Sequence, residues 1–391
     1  MRELNKLSEK IVIICFVSFT LFTSGFLISL IVVPFLHPEV NSPHLQIFIT
    51  EDADFDKYYF PGSGTPTDPF LIENFTYQEH GLFEIYIFGV SKHFVIRNNI
   101  IISHRSDEGI RIGDAPNNVS IINNVVYGSA HMHDWNPGIS IYNLDECNII
   151  NNTVISKEKG IRISSSSNCS VKNNKLIKNG RNIEIIDSSN ILIENNSLVF
   201  DETQTGYATK DTIYVQNSDN VSIIYNHLNK SGIFFNDGSI KTAVIENNFI
   251  DGLKIGFFKN ETNILINSTI EFGQILLADC KNCSLYNLTM SKSNVGIGIY
   301  NSNLINCSYC NLSSNLYAGL YIYESVNVTI SESTFISNDV GTRVKFSNNI
   351  RFLNNIFQEN SFGIYLSNSN CTFINNSFIN NSIEDIHTYD Y

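Results

Sequence analysis

From residue 98 onward the chain alternates apolar and polar residues in short runs, with no helix-length window between them. One set of runs ends on asparagine: VSII before Asn123-Asn124, CSVK before Asn173-Asn174, CSLY before Asn287. A second set begins about nine residues later and usually opens on glycine, as in GIRI from Gly109, GISI from Gly138, GIGI from Gly296 and GIYL from Gly363. Period-two patterns rich in Ile and Val predict strands. The asparagine recurs at Asn99, Asn124, Asn152, Asn174, Asn196, Asn226, Asn248, Asn267, Asn287, Asn311, Asn355 and Asn376, with Ser333 filling the one gap; the commonest interval is 22 residues.

A fixed period in the twenties predicts a solenoid in which neighbouring repeats bury each other's faces. A leucine-rich repeat wants Leu at most inward positions and a helical back, whereas here Ile dominates and the backs are rich in Ser and Asn. The pattern therefore predicts an all-β fold, a right-handed parallel β-helix of about 13 coils with three short strands each. Asn suits its tight turn, because it tolerates the left-handed conformation and its amide can bond to the coils above and below. Thirteen stacked coils at the parallel strand spacing predict a rod of about 58 Å.

The N-terminus breaks this pattern. Ile11 to Val33 is a stretch of 23 residues without a charge, preceded by Arg2, Lys6 and Lys10. That length crosses a bilayer as a helix, and the basic flank places the rest of the chain outside the cell. A cleaved signal peptide is the rival, but the segment runs into VVPFLHPEV without a small-x-small site. The expected organisation is a cytoplasmic N-terminus at 1–10, a single-pass transmembrane anchor at 11–33, a linker at 34–44, a cap and entry segment at 45–97 and the β-helix at 98–391.

Composition narrows the partners. The formal charge is −13, only 16% of residues are charged, and basic clusters are absent beyond the extreme N-terminus. Phosphate binding needs a clustered basic face, so nucleic acid is excluded. The spacings Cys280-x-x-Cys283 and Cys307-x-x-Cys310 look like zinc knuckles. Aligned on the repeat, however, Cys147, Cys169, Cys283, Cys307 and Cys371 fall where Val119, Val221 and Val328 stand, an inward position at which Cys packs as a small hydrophobe. In this alignment Cys147 lies over Cys169 and Cys283 over Cys307, so an apolar stack, one or two disulfides, and zinc all stay open, in that order. The many Asn-x-Ser/Thr matches arise partly from the turn chemistry, although an outward-facing protein would carry glycans on some of them.

The segments FPGSGTPTDPFLIENF (from Phe60) and GVSKHFVIRNNII (from Gly89), followed by the NNxxx…GIxI coils, resemble surface β-helix proteins of the NosD type, common in archaea, over roughly residues 45–391. That resemblance implies the fold, and a role in carbohydrate binding or processing, in cofactor maturation, or in copper handling. The paired-aspartate NTD, DD, GHG and RIK motifs of polygalacturonases and the Arg-centred signature of pectate lyases are absent, and with three Met no copper-ligand cluster stands out.

Candidate chemistry concentrates in three insertions that fall at one point of the coil, after Asn99, Asn124 and Asn196. They carry His104, Asp107, Glu108, His131, His133, Asp134, Trp135, Asp201, Glu202 and Asp211. Loops on a rigid scaffold commonly hold function. Asp107, Glu108, Asp134, Asp201 and Glu202 are the carboxylates from which a polysaccharide lyase or glycoside hydrolase would draw an acid–base pair. His104, His131 and His133 could converge on a divalent cation, though no cofactor is required by the sequence. Beside the loops, the third residue of each G-I-x-I strand should face outward, giving a stripe of Arg111, Ser140, Arg162, Glu184, Tyr214, Phe234, Tyr321, Arg343 and Tyr365. With Trp135 and His133, the residues Arg111, Arg162, Tyr214 and Phe234 form the expected binding surface, since sugar rings stack on aromatic faces. The sequence thus points to a membrane-anchored extracellular protein that binds a carbohydrate polymer or cell-surface glycan without catalysis. Polysaccharide cleavage, metal handling and a passive spacer are the alternatives.

Overall fold

The computed structural model describes residues 46–77, 83–103, 108–128, 136–200 and 210–389. The proposed anchor at 11–33 lies outside these; among the described residues no helix is long and apolar enough to cross a membrane. Three strands per turn wind into about 13 right-handed coils. The first sheet of eight strands runs from Ile47–Ile49 to Ile233–Phe235, the second from Phe70–Glu73 to Val244–Glu246, and the third begins at Thr76–Tyr77. Strands of the first coils therefore lie already within residues 45–97. A short 3-10 helix, Asp52–Lys57, closes this end, with Phe55 stacked on Phe70 at 4.7 Å and tilted against Phe94 at 5.9 Å.

The inward columns are as the alternation predicts. Ile110, Ile139, Ile161, Ile183, Ile213 and Ile233 stack in register with no exposed surface. The glycine before Ile110, Ile139, Ile161 and Ile233 answers to close approach: a Cβ on Gly160 would lie 2.6 Å from the Asn182 carbonyl oxygen of the next coil.

Two neighbouring asparagines divide the work at the turn. The first takes the left-handed conformation, with φ of 57° at Asn151, 56° at Asn173 and 57° at Asn195. The second is buried and spans three coils. Asn174 Oδ1 accepts from the Asn152 backbone N–H at 2.8 Å and from Asn152 Nδ2 at 3.1 Å, and its own Nδ2 donates to Asn196 Oδ1 and to the Ile149 carbonyl. The ladder runs unbroken from Asn99 to Asn248.

The stack is not one continuous rod. Phe249–Ile250 pairs antiparallel with Leu253–Lys259 across Asp251 and Gly252, whose φ values of 48° and 84° turn the chain back. Asp-Gly is the dipeptide that favours such two-residue hairpins, because both central residues need positive φ. A second solenoid then grows from this edge, with strands from Leu253–Lys259 to Glu384–Tyr389 extending the third sheet to 15 strands. Its asparagine rows differ from the expected ones. Asn287 holds the left-handed position, Asn267 accepts locally from Thr269, and Leu288, Cys310, Ser333, Asn355 and Asn376 occupy the ladder column. A further row, Asn315–Asn338–Asn360–Asn381, forms at the next turn.

The cysteine alignment holds in part. Cys147 and Cys169 are joined by a disulfide between adjacent coils. Cys283 pairs in register with Ile305, and Cys307 with Leu285, so the two are not stacked; Cys307 Sγ lies 3.6 Å from Cys310 Sγ instead. These two strands pair at a separation of 22 residues, as in Cys283 with Ile305, so Cys307 falls two residues further along the inward face.

The ladder separates two substitutions of adjacent asparagines. Asn174→Ala strands the Asn152 N–H and the Ile149 carbonyl and should lower stability by about 2–4 kcal/mol, as buried unpaired groups cost about 1–3 kcal/mol each. Asn173→Gly keeps the left-handed turn and should change it by well under about 1 kcal/mol. Urea denaturation followed by circular dichroism measures both, and equal effects would refute this division of roles.

Candidate functional site

The outward column of the first sheet reads Tyr86, Arg111, Ser140, Arg162, Glu184, Tyr214, Phe234 in continuous register. Glu108, Lys159, Arg181 and Asp211, each three residues before a member of this column, reach the same face through ion pairs. The stripe is far less exposed than the alternation suggests. Arg111 and Arg162 are half-exposed, whereas Ser140, Glu184 and Tyr214 are buried and Phe234 and Tyr321 have no accessible surface.

Two causes account for this. At Glu184, cations converge: Arg181 Nη1 lies 2.5 Å from Oε1, while Lys159 Nζ and Arg162 Nε lie 3.2 and 3.3 Å from Oε2. Arg181 also reaches Asp211 at 3.6 Å and lies over the Tyr214 ring at 3.8 Å. Burial works against the Arg181 charge, but Asp211 and Glu184 outweigh it and raise its pKa. Tyr214 is pushed up to about 12 by burial, with Arg181 opposing. Burial likewise raises Glu108, against the pull of Arg111, which donates to it at 3.1 Å.

At Phe234 the cause is the second solenoid. Its outward residues Leu276, Ala278, Val295, Tyr300, Ala318 and Tyr321 join the same apolar cluster as Phe234, Phe235, Ile240 and Ala243 of the first solenoid's final coil. Phe234 meets Tyr317 and Tyr321 edge-on at 5.3 and 5.1 Å. The unpaired backbone of Ile233 is completed by a side chain: Gln274 accepts from its N–H at 3.0 Å and donates to its carbonyl at 2.9 Å. Gln274 also donates to Asn294 Oδ1, and Asn294 Nδ2 donates to Asp211 at 2.7 Å, so the lock reaches the ion-pair cluster. A lone Gln in the apolar run FGQILLA was the available signal for this lock.

The outer faces of the two solenoids therefore meet in a corner. On the first lie Arg111, Arg162, Arg181 and Tyr214. On the second, Arg343 lies over Tyr317 at 5.1 Å and over Tyr365 at 4.1 Å, and Tyr365 packs on His387 at 4.8 Å. The structure thus keeps Arg111 and Arg162 as accessible members of the expected site and brings in Arg343, Tyr365 and His387. Phe234 drops out as a contact because it is wedged into the junction, and Tyr214 is a platform beneath Arg181. Asp107, Asp134, Asp201, Glu202, His104, His131, His133 and Trp135 lie outside the described residues. Among the described residues no group of three or more His, Cys, Asp or Glu converges to hold a metal, so they offer no copper-ligand set.

Two family models match the sequence: the periplasmic copper-binding protein (NosD) model over residues 85–212 and the right handed beta helix region model over residues 273–390. The first match falls on the first solenoid and the second on the other. No curated protein matches. Among solved structures, the mannuronan C-5 epimerase AlgE4 A-module of Azotobacter vinelandii is 11% identical, covering 82% of this chain and 89% of its own, with a TM-score of 0.35. PfbA, a surface adhesin of Streptococcus pneumoniae, is 14% identical over 77% of this chain and 85% of its own, at a TM-score of 0.29. A tailspike protein of E. coli bacteriophage HK620 in complex with a pentasaccharide is 10% identical over 82% of this chain and 72% of its own, at 0.36.

The convergence on Glu184 has a measurable consequence. Glu184→Ala leaves Lys159 and Arg181 buried without their main partner and should cost about 3–5 kcal/mol. Arg162→Ala removes a half-exposed cation and should cost about 1 kcal/mol or less. Thermal melts of both variants test this; a melt of Glu184→Ala like that of the unmodified protein would refute the buried cluster.

Proposed function

We propose a function for what is a right-handed parallel β-helix protein of the NosD type: it binds a carbohydrate polymer at the cell surface, in the corner between its two solenoids, without cleaving it. The observation that carries this reading is the alternation of arginine and aromatic side chains around the corner, from Arg111 and Arg162 through Tyr214 and Tyr317 to Arg343, Tyr365 and His387. Guanidinium groups donate to ring hydroxyls and carboxylates in a fixed fork, and the aromatic rings against which Arg181 and Arg343 lie hold that fork in place. Parallel strands hold these groups at a repeat of about 4.8 Å, so an extended chain can touch several at once.

Binding without turnover is favoured because the described carboxylates on this face are already committed. Glu108 is bonded to Arg111, Glu184 to three cations, and Asp211 to Arg181 and Asn294. A lyase or hydrolase would need two carboxylates free to act on the glycosidic bond. Trp135, from the stretch YGSAHMHDWNPGIS, lies outside the described residues and is retained from the sequence as a proposed ligand contact. The location outside the cytoplasm is supported by the Cys147–Cys169 disulfide, which persists in an oxidising compartment, and by the periplasmic description of the matching family. The apolar segment Ile11 to Val33 would anchor the protein in the membrane.

The test is a glycan panel with reducing-end and unsaturated-product assays on every polymer that binds. We expect binding without product. Tyr365→Ala and Trp135→Ala should each weaken it by about 1–3 kcal/mol, the range for loss of a stacking anchor. Product formation would replace this reading with an enzyme, and silence across the panel would reduce the protein to a spacer.

A further inference from the structure

Arg343 and Lys345 stand two apart on the strand Val340–Lys345, so both point outward from the second solenoid. Both are half-buried, and among the described residues neither makes an ion pair. Arg343 Nε is buried and donates to nothing, although the guanidinium is held between Tyr317 and Tyr365. The first solenoid's cations are arranged differently: Arg111, Lys159, Arg162 and Arg181 each have a carboxylate.

None of the acids near Arg343 and Lys345 makes an ion pair with either of them. Asp237 accepts from the backbone N–H groups of Asn217 and Ser239 at 2.5 and 2.9 Å. Glu324 pairs with Lys241 at 3.5 Å and Glu384 with His387 at 2.7 Å. Asp339 makes no ion pair with either cation. Burial and the neighbouring Arg343 charge lower the Lys345 pKa, with Asp237 opposing them, as expected for two like charges in a partly desolvated site. A protein of net charge −13 thus keeps at its corner two neighbouring cations that make no ion pair among the described residues, flanked by aromatic rings.

We infer that Arg343 and Lys345 form an acidic-sugar subsite, in which the carboxylate of a uronic acid unit is held by both cations while Tyr365 fixes the guanidinium from below. This rests on the carbohydrate-binding reading and narrows its ligand to a carboxylate-bearing polymer. The planar guanidinium, fixed by its ring contacts, matches a carboxylate in two parallel hydrogen bonds, and the ammonium adds a point charge. The bound anion would relieve the repulsion within the pair, so ligand binding and removal of one charge should both favour the folded state.

The experiment is calorimetric titration of the full chain with polygalacturonate, its methyl ester, dextran sulfate and neutral dextran. Polygalacturonate should bind, weakening as salt rises, and its methyl ester at least tenfold more weakly. Arg343→Gln and Lys345→Gln should each weaken polygalacturonate at least tenfold, Lys345→Arg should retain it, and the melting temperature of Lys345→Gln should be unchanged or higher. Equal binding of acid and ester, or unaltered binding in both Gln variants, would overturn the subsite while leaving the carbohydrate reading standing. Binding of dextran sulfate alone would overturn the carboxylate assignment. A drop in melting temperature for Lys345→Gln would assign the pair a structural role instead. If none of these polymers and no member of the glycan panel binds, the parent reading fails with it.

Discussion

At the repeated turn of the first solenoid the second asparagine is buried against the neighbouring coils, so its amide must find its partners there. An unpaired buried amide costs about 1–3 kcal/mol, and a dozen such turns would exceed the stability of an ordinary domain. The Asn side chain meets the demand because it carries both an acceptor and two donors on a short stem. Asn152, Asn174 and Asn196 each accept from one neighbouring coil and donate to the other, while the asparagine before each bends the chain. The 22-residue period, the inward isoleucine columns and the glycines at close approach all follow from keeping that ladder in register.

A solenoid held this way has open ends, where the last coil has no neighbour to complete it. The first solenoid ends on Ile233–Phe235, and its missing neighbour is replaced by the outer face of the second. Gln274 supplies the hydrogen bonds a further strand would have made, and Tyr300, Tyr317 and Tyr321 cover the apolar end. The Asp251-Gly252 hairpin makes this geometry available by reversing the strand direction. The corner is thus a consequence of capping. Its inner walls carry the ion-pair cluster of Glu184 on one side and the Arg343–Tyr365 stack on the other.

Charges on an outer sheet face would ordinarily be solvated and replaceable. Here the two walls divide them by function. Glu184 and Asp211 neutralise the buried cations of the first solenoid, which makes that cluster part of the scaffold. Arg343 and Lys345 make no such ion pair among the described residues, which is the ground for the ligand role inferred for them. The same residue types therefore carry different roles according to what the opposing wall supplies.

Much of the scaffold was legible in the residues themselves. The alternation around Ile161 and Ile183, the asparagine period and the Gly-Ile strand openings determined an all-β, right-handed parallel β-helix and its inward columns, because these depend on side-chain direction along one strand and on one turn repeated. The disulfide between Cys147 and Cys169 was within reach for the same reason, since both sit at one point of adjacent coils. Cys283 and Cys307 were misplaced by two residues, because the register between their coils sets Cys283 against Ile305. The burial of Phe234, Tyr321 and Glu184 was beyond any local pattern. Period two says only which way a side chain points, and what meets it there comes from a strand more than eighty residues away for Phe234 and from neighbouring coils for Glu184. The tertiary structure alone decided which outward residues became core, which became a salt-bridged scaffold, and which stayed open to a ligand.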